Sequence, residues 1–243
     1  MSTTTRTLIT KSTLTGKISR LLRLLQYGDS ALPIGGFSFS GGVESAVANG
    51  LLRGAEELEG YLHQSLRCAA LTDGIAALHA HRWAMLGNAD AIVEVDCRLY
   101  RTKLLAENRQ MSLRLGSRLL QLAHSTLQSE LLAEYAEKVS QGRAYATHAV
   151  VLAATLAEVG VDEQGVWSVL MAGVENMVLG AALRTMRVTH IETQAILHRT
   201  ATYIEKLYAE AVELRLDDLQ SFAPMLEIVA ALHERGNERL FMN

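Results

Sequence analysis

The sequence predicts an all-α fold, a single compact multi-helix domain of about ten helices, and three observations carry the prediction. Only Pro33 and Pro224 occur, so about 190 residues run without the one residue that removes a helical hydrogen bond and collides with the preceding turn. The chain is rich in Leu and Ala, only 5% aromatic and thin in Val-Ile-Thr runs, which favours helix over strand. Apolar residues recur at three- and four-residue spacing through most of its length.

Residues 1–17 hold seven threonines, two serines and three basic residues without a secretory apolar run, and read as a loose tail. Five basic residues and no acid among the first 28 match a transit segment in composition, and a short solvated tail leading into a helix explains them equally. That helix is expected to begin near Ile18, where Ile18, Leu21, Leu22 and Leu25 form an apolar stripe at i, i+3, i+4 and i+7. Gly28-Asp29-Ser30 breaks the pattern, and Pro33-Ile34-Gly35-Gly36 cannot continue it as regular helix. Helices are expected at 41–50, 55–71, 73–86, 89–105, 108–125, 128–139, 142–159, 163–175, 177–187, 191–215 and 224–235. The clearest carries Ile204, Leu207, Tyr208, Ala211 and Val212 on one face and Glu205, Lys206, Glu210 and Glu213 on the other. Residues 18–235 thus form one helical domain, and Gly236 is suited to cap the last helix. The remaining 236–243 end in Leu240-Phe241-Met242, an apolar tail expected to dock.

Composition narrows the function. At 49% hydrophobic and 20% charged, the chain can bury one good core. Its longest apolar stretch free of Asp, Glu, Lys and Arg, Ala144 to Ala157, is short of a membrane span, so a soluble protein is expected. A formal charge of −3 argues against a nucleic-acid surface. Cys68 and Cys97, far apart, suit free thiols in a reducing cytoplasm.

Chemistry-bearing patterns are sparse. Around Gly16-Lys17-Ile18-Ser19, Lys11 and Ile18 occupy the places where a phosphate loop needs glycine and Ser/Thr. Ser40 reads as a helix cap. No histidine pair stands at i, i+3 or i, i+4; His79 and His81 are two apart, and His148, His190, His198 and His233 are isolated, so no metal ligands are assigned. No catalytic residue is assigned either, because the acids lie on helix faces opposite the apolar stripes. From Arg98 to Arg118 six basic residues face Glu107 alone, either a solvated helix face or a dock for an acidic partner.

The odd segment is Ser30 to Glu44, an apolar glycine-rich loop with Leu32, Ile34, Phe37 and Phe39 among small residues. A free loop of this kind would be sticky, so it must pack. It plugs the core through Leu32, Ile34 and Phe37, or presents an interface, or does both with alternate side chains; Phe37 and Phe39, two apart, face opposite ways if the loop is extended.

This segment resembles the hallmark of the urease accessory protein UreF family in Leu32, Pro33, Ile34, Gly35, Gly36, Phe37, Ser38, Ser40, Gly42, Val43 and Glu44. Weaker matching blocks follow in order: Arg109, Leu113-Arg114, Gly116 and Leu119-Leu120-Gln121-Leu122; Ala181-Ala182-Leu183-Arg184 with Gln194; and Leu226-Glu227-Ile228, His233-Glu234 and Arg239-Leu240-Phe241. The chain departs from the family at Met186-Arg187-Val188-Thr189-His190, where many relatives carry a Pro-Leu-Gly-Gln type stretch.

The resemblance implies a cytoplasmic, all-α, dimerising adaptor that is not an enzyme and carries no cofactor of its own. Its implied partners are a UreD/UreH-type scaffold, a UreG-type GTPase that binds the GTP, and apo-urease, which receives nickel and a carbon-dioxide-derived carbamate. The partner-binding residues it implies are Leu32, Pro33, Gly35, Gly36, Phe37, Ser38, Phe39, Ser40, Glu44, Arg109, Arg114, Arg184, Arg239, Leu240 and Phe241. Arg109, Arg114, Arg118 and Arg184 are also the candidates for an arginine finger toward the GTPase. A helical regulator or ligand-binding protein without catalytic activity, a helical enzyme and a nickel-binding metallochaperone are the alternatives.

Overall fold

Nine consecutive buried residues, Ala149 to Ala157, mark the centre of the fold. The computed structural model describes residues 11–221. Among them are ten α-helical segments and no strand: α1 Lys11–Gly28, α2 Val43–Ala48, α3 Ala55–Ala69, α4 Ile75–Met85, α5 Ala89–Thr102, α6 Ala106–Thr126, α7 Glu130–Ser140, α8 His148–Glu158, α9 Glu163–Thr185 and α10 His190–Ala211. A helix apolar all round must be enclosed, and α8 is, by α4, α5, α6 and α9. The alanines Ala76, Ala77, Ala80 and Ala84 of α4 are all buried, which lets its backbone approach α8 closely. One hydrophobic core cluster links residues from α2 through α10 with Tyr27 of α1.

Several expected boundaries move, each for a physical reason. The first helix starts by Lys11 rather than near Ile18, taking in the end of the expected tail. Its Ile18, Leu21, Leu22 and Leu25 are 60–66% exposed, while Leu24 and Tyr27 meet the core. The expected helices 55–71 and 73–86 are one run, Ala55 to Met85, joined by a π turn at Ala70–Gly74. Trp167 lies against that turn, so that a Cβ on Gly74 would come 2.6 Å from its ring. The pair 163–175 and 177–187 is likewise one helix, α9, capped by Asp162, whose carboxylate accepts the Gly165 N–H at 2.8 Å.

The helix expected from 142 starts only at His148. Fully buried Asp96 accepts the backbone N–H groups of Tyr145, Ala146 and Thr147 at 2.6, 2.9 and 2.8 Å, together with the Thr147 hydroxyl, and holds this stretch out of the helix. Ala146 takes a left-handed φ of 57° there, and Gly116 of α6 runs so close beneath that a Cβ would sit 1.9 Å from the Ala146 carbonyl oxygen.

By length and composition α9 is apolar enough to cross a membrane, the one such helix among the described residues, although Glu175 and Arg184 interrupt any uninterrupted apolar count. More than half of its apolar window is buried inside the protein, so it serves here as a core helix. The α10 stripe faces inward as expected, with Leu207 and Ala211 buried and Ile204, Tyr208 and Val212 packed against the core. Thr189 and Glu192 form a capping box at its start, a role for the divergent stretch before it. The expected helix 224–235 and the docking tail 236–243 lie outside the described residues.

Candidate partner-docking loop

The loop between α1 and α2 is held from its own backbone outward. Asp29 accepts the Ala31 N–H at 2.8 Å on its side chain, and its carbonyl accepts the Leu32 N–H at 3.0 Å, turning the chain off α1. Gly35 at φ 87° feeds a short 3₁₀ turn, Gly36–Ser38, and Gly41 and Gly42 at φ 60° and 84° lead into α2. These left-handed values explain glycine at those positions. Ser40 is buried, and the N-cap residue of α2 is Gly42. The Tyr61 hydroxyl of α3 donates to the Gly41 carbonyl at 2.6 Å, and burial pushes its phenol well above the usual range.

Side chains along the loop split between core and solvent. Phe39 is 4% exposed, Leu32 and Ile34 pack partly into the core, and Pro33 and Phe37 are exposed, Phe37 at 70%. The two phenylalanines face opposite ways as expected, but it is Phe39, with Leu32 and Ile34, that plugs the core, and not Phe37. A 3₁₀ turn puts residues two apart on different sides, and Phe39 follows it in extended backbone.

Two arginines hold the loop from the flanking helices. Arg118 of α6 donates to the Ile34 carbonyl at 3.3 Å, and Arg184 of α9 donates through both terminal nitrogens to the Phe37 carbonyl at 3.2 and 3.3 Å. Of the other candidates, half-buried Arg109 donates to the Lys103 carbonyl at 3.1 Å and lies over Tyr100. Arg114 is exposed one turn from Arg118, on the same face of α6. Glu44 stands in the first turn of α2. Arg239, Leu240 and Phe241 lie outside the described residues. The basic run from Arg98 to Arg118 is dispersed: Arg98 pairs with Glu94 and Asp217, and Lys103 pairs with Asp73.

The two histidines of α4 are spent on backbone. His79 and His81 meet the carbonyls of Leu214 and Val161 at 3.1 and 2.8 Å. Among the described residues no three His, Cys, Asp or Glu side chains converge as metal ligands, and Cys68 and Cys97 form no disulfide.

Beneath the loop lies a cavity of about 490 Å³, which the sequence reading missed. Its walls are mostly apolar, from Leu32, Ile34 and Phe39 of the loop to Leu152 of α8 and Leu170 and Leu179 of α9. Its polar lining includes Asp73, which the π turn carries and which accepts Lys103 Nζ at 2.7 Å, and His148 at the start of α8.

The sequence model of the UreF family matches residues 52–201. The chain is 40% identical over 223 residues to a protein of Brucella canis named urease accessory protein UreF 2, an alignment covering 92% of each chain. This chain belongs to the UreF family. A urease accessory protein UreF of Yersinia enterocolitica serotype O:8 is 35% identical over 225 residues, covering 93% of this chain and 99% of the relative. The family match begins after the glycine-rich loop, so the helical body alone suffices to place the chain, while both relatives align over nearly all of it.

Proposed function

We propose that this UreF family member is a non-catalytic adaptor in urease maturation. It joins a UreD/UreH-type scaffold to a UreG-type GTPase, so that GTP bound by the GTPase is hydrolysed, and nickel released as cargo, beside apo-urease. The observation that carries the reading is the presentation of Phe37. An aromatic side chain 70% exposed on a loop braced by Arg118 and Arg184 is already ordered before a partner arrives, which spares much of the entropy cost of contact. The names of the relatives, urease accessory proteins, supply the system in which the contact is made. Two cysteines outside any disulfide suit the cytoplasm, where such an adaptor meets its partners. The adaptor acts as a homodimer, and the exposed leucine-rich face of α1 is the surface assigned to that pairing.

The test mixes the pure protein with a UreD/UreH-type scaffold and a UreG-type GTPase and weighs the complexes. The wild type is expected to enter one assembly with both. Phe37→Ala is expected to weaken that assembly with its melting temperature unchanged, and deletion of residues 236–243 to leave a folded protein that no longer captures the scaffold. Full assembly by both variants would refute the assignment of these contacts, and no assembly by the wild type would refute the adaptor.

A further inference from the structure

Two glycines inside α9 lack a packing reason. Gly74, Gly116 and Gly165 each sit against atoms that a Cβ would strike, which explains their identity. Gly173 and Gly180, one heptad apart in α9, would place a Cβ in open space, with nothing within 4 Å. Glycine in a helix interior costs about 0.5–1 kcal/mol relative to alanine, so an unforced pair calls for another explanation. Both border the cavity beneath the loop, Gly180 half-buried and Gly173 exposed, so larger side chains there would intrude on it.

The polar lining is a second, independent feature. His148 lies deep in the molecule yet keeps accessible surface, which borders the cavity. Among the described residues its ring has no hydrogen-bond partner, although its backbone N–H donates to the Ser112 hydroxyl at 3.1 Å. Burial holds its pKa down to about 4, so at neutral pH it offers one N–H donor and one lone pair. Lys103 and Asp73 are mostly shielded from solvent and neutralise each other, leaving spare ammonium hydrogens and no net charge. These groups match a head that both donates and accepts hydrogen bonds; Asp29 and Arg184 also line the cavity with one charge of each sign, so the lining as a whole has no net charge to balance a lone anion or cation.

We propose that the cavity beneath the motif loop binds an uncharged small molecule with an apolar body and a hydrogen-bonding head of the primary amide or alcohol class. The head meets Lys103, Asp73 and His148, and the body lies along Leu152, Leu170 and Leu179. The volume falls within the roughly 300–1,000 Å³ of small-molecule pockets. The proposal stands apart from the adaptor reading, because its test contains no partner protein.

The full chain is titrated calorimetrically at neutral pH with octanamide and, separately, with octanoate. Octanamide is expected to bind with a submillimolar Kd and octanoate at least about tenfold more weakly, since its charge would be buried without compensation. Gly180→Leu and Gly173→Leu each place a side chain in the open space; both are expected to melt no lower than the wild type and to lose octanamide binding. Absence of octanamide binding to the wild type would overturn the proposal. So would undiminished binding by both folded variants, or octanoate binding as tightly as octanamide.

Discussion

Phe37 and Phe39 are two residues apart, yet one meets solvent and the other the core, so truncating each should give opposite results. Phe39→Ala is expected to cost about 3–5 kcal/mol through lost burial and the cavity left behind. Phe37→Ala should melt with the wild type. Gly116 is tightly constrained: the Cβ of Gly116→Ala would lie 1.9 Å from a backbone oxygen, and neither side can yield cheaply. A loss of about 3 kcal/mol or more in denaturant unfolding is expected, and a near-neutral result would contradict the close crossing of α6 beneath Ala146. Two buried groups should give stability opposite pH slopes. Burial holds His148 down to about 4 from 6.5, so the folded state refuses a proton that the unfolded chain accepts. Its contribution is present above pH 6.5 and is lost as pH falls toward 4. Glu175 of α9, buried and accepting the Thr200 hydroxyl, is pushed upward by desolvation. Its contribution is present below its ordinary value of 4.5 and is lost as pH rises through its raised value. Melting curves against pH should therefore flatten on the acid side in His148→Gln. In Glu175→Gln, whose amide oxygen can still accept from Thr200, the melting temperature should rise at neutral pH and stay unchanged in acid.

Helix α1 is an amphipathic element whose apolar stripe points away from its own core. Ile18, Leu21, Leu22 and Leu25 have the spacing of a buried face, and periodicity alone cannot say whether the covering surface belongs to the same chain. In the homodimer proposed above, Leu21→Glu with Leu25→Glu should yield a monomer in sedimentation with an unchanged melting temperature. A variant that remains dimeric would move the pairing elsewhere. The other helices were legible where periodicity and punctuation agreed, as in α10, and misread where a local pattern break had no structural consequence. The helices expected at 163–175 and 177–187 are one, because burial of Val169, Leu170, Val178 and Leu179 on either side of Asn176 carries α9 straight through. The late start of α8 was hidden for the converse reason. Its cause is Asp96, about fifty positions earlier, and a contact that distant leaves no trace in the periodicity of residues 142–148.

At the scale of the molecule, the all-α class was readable because two prolines and a Leu/Ala-rich composition leave little alternative. The loop was readable as an anomaly, since an apolar glycine-rich segment must be packed. Its arginine braces were named among the candidates without their role, because a hydrogen bond from Arg184 to the carbonyl of Phe37 depends on a fold that brings α9 beside the loop. The cavity was invisible for the same reason: Asp73, Lys103 and His148 come from three separate elements.

The grip of Arg118 and Arg184 falls on carbonyl oxygens, which every amino acid possesses. Position 37 is therefore free to vary without releasing the loop, and its side chain is an exchangeable fingertip on a fixed hand. A lineage could retune which surface it touches by changing that residue alone, without refolding the body behind it. In a panel of substitutions at Phe37, partner affinity should spread widely while the melting temperatures stay clustered, whereas Arg184→Ala should weaken partner capture whichever residue occupies position 37.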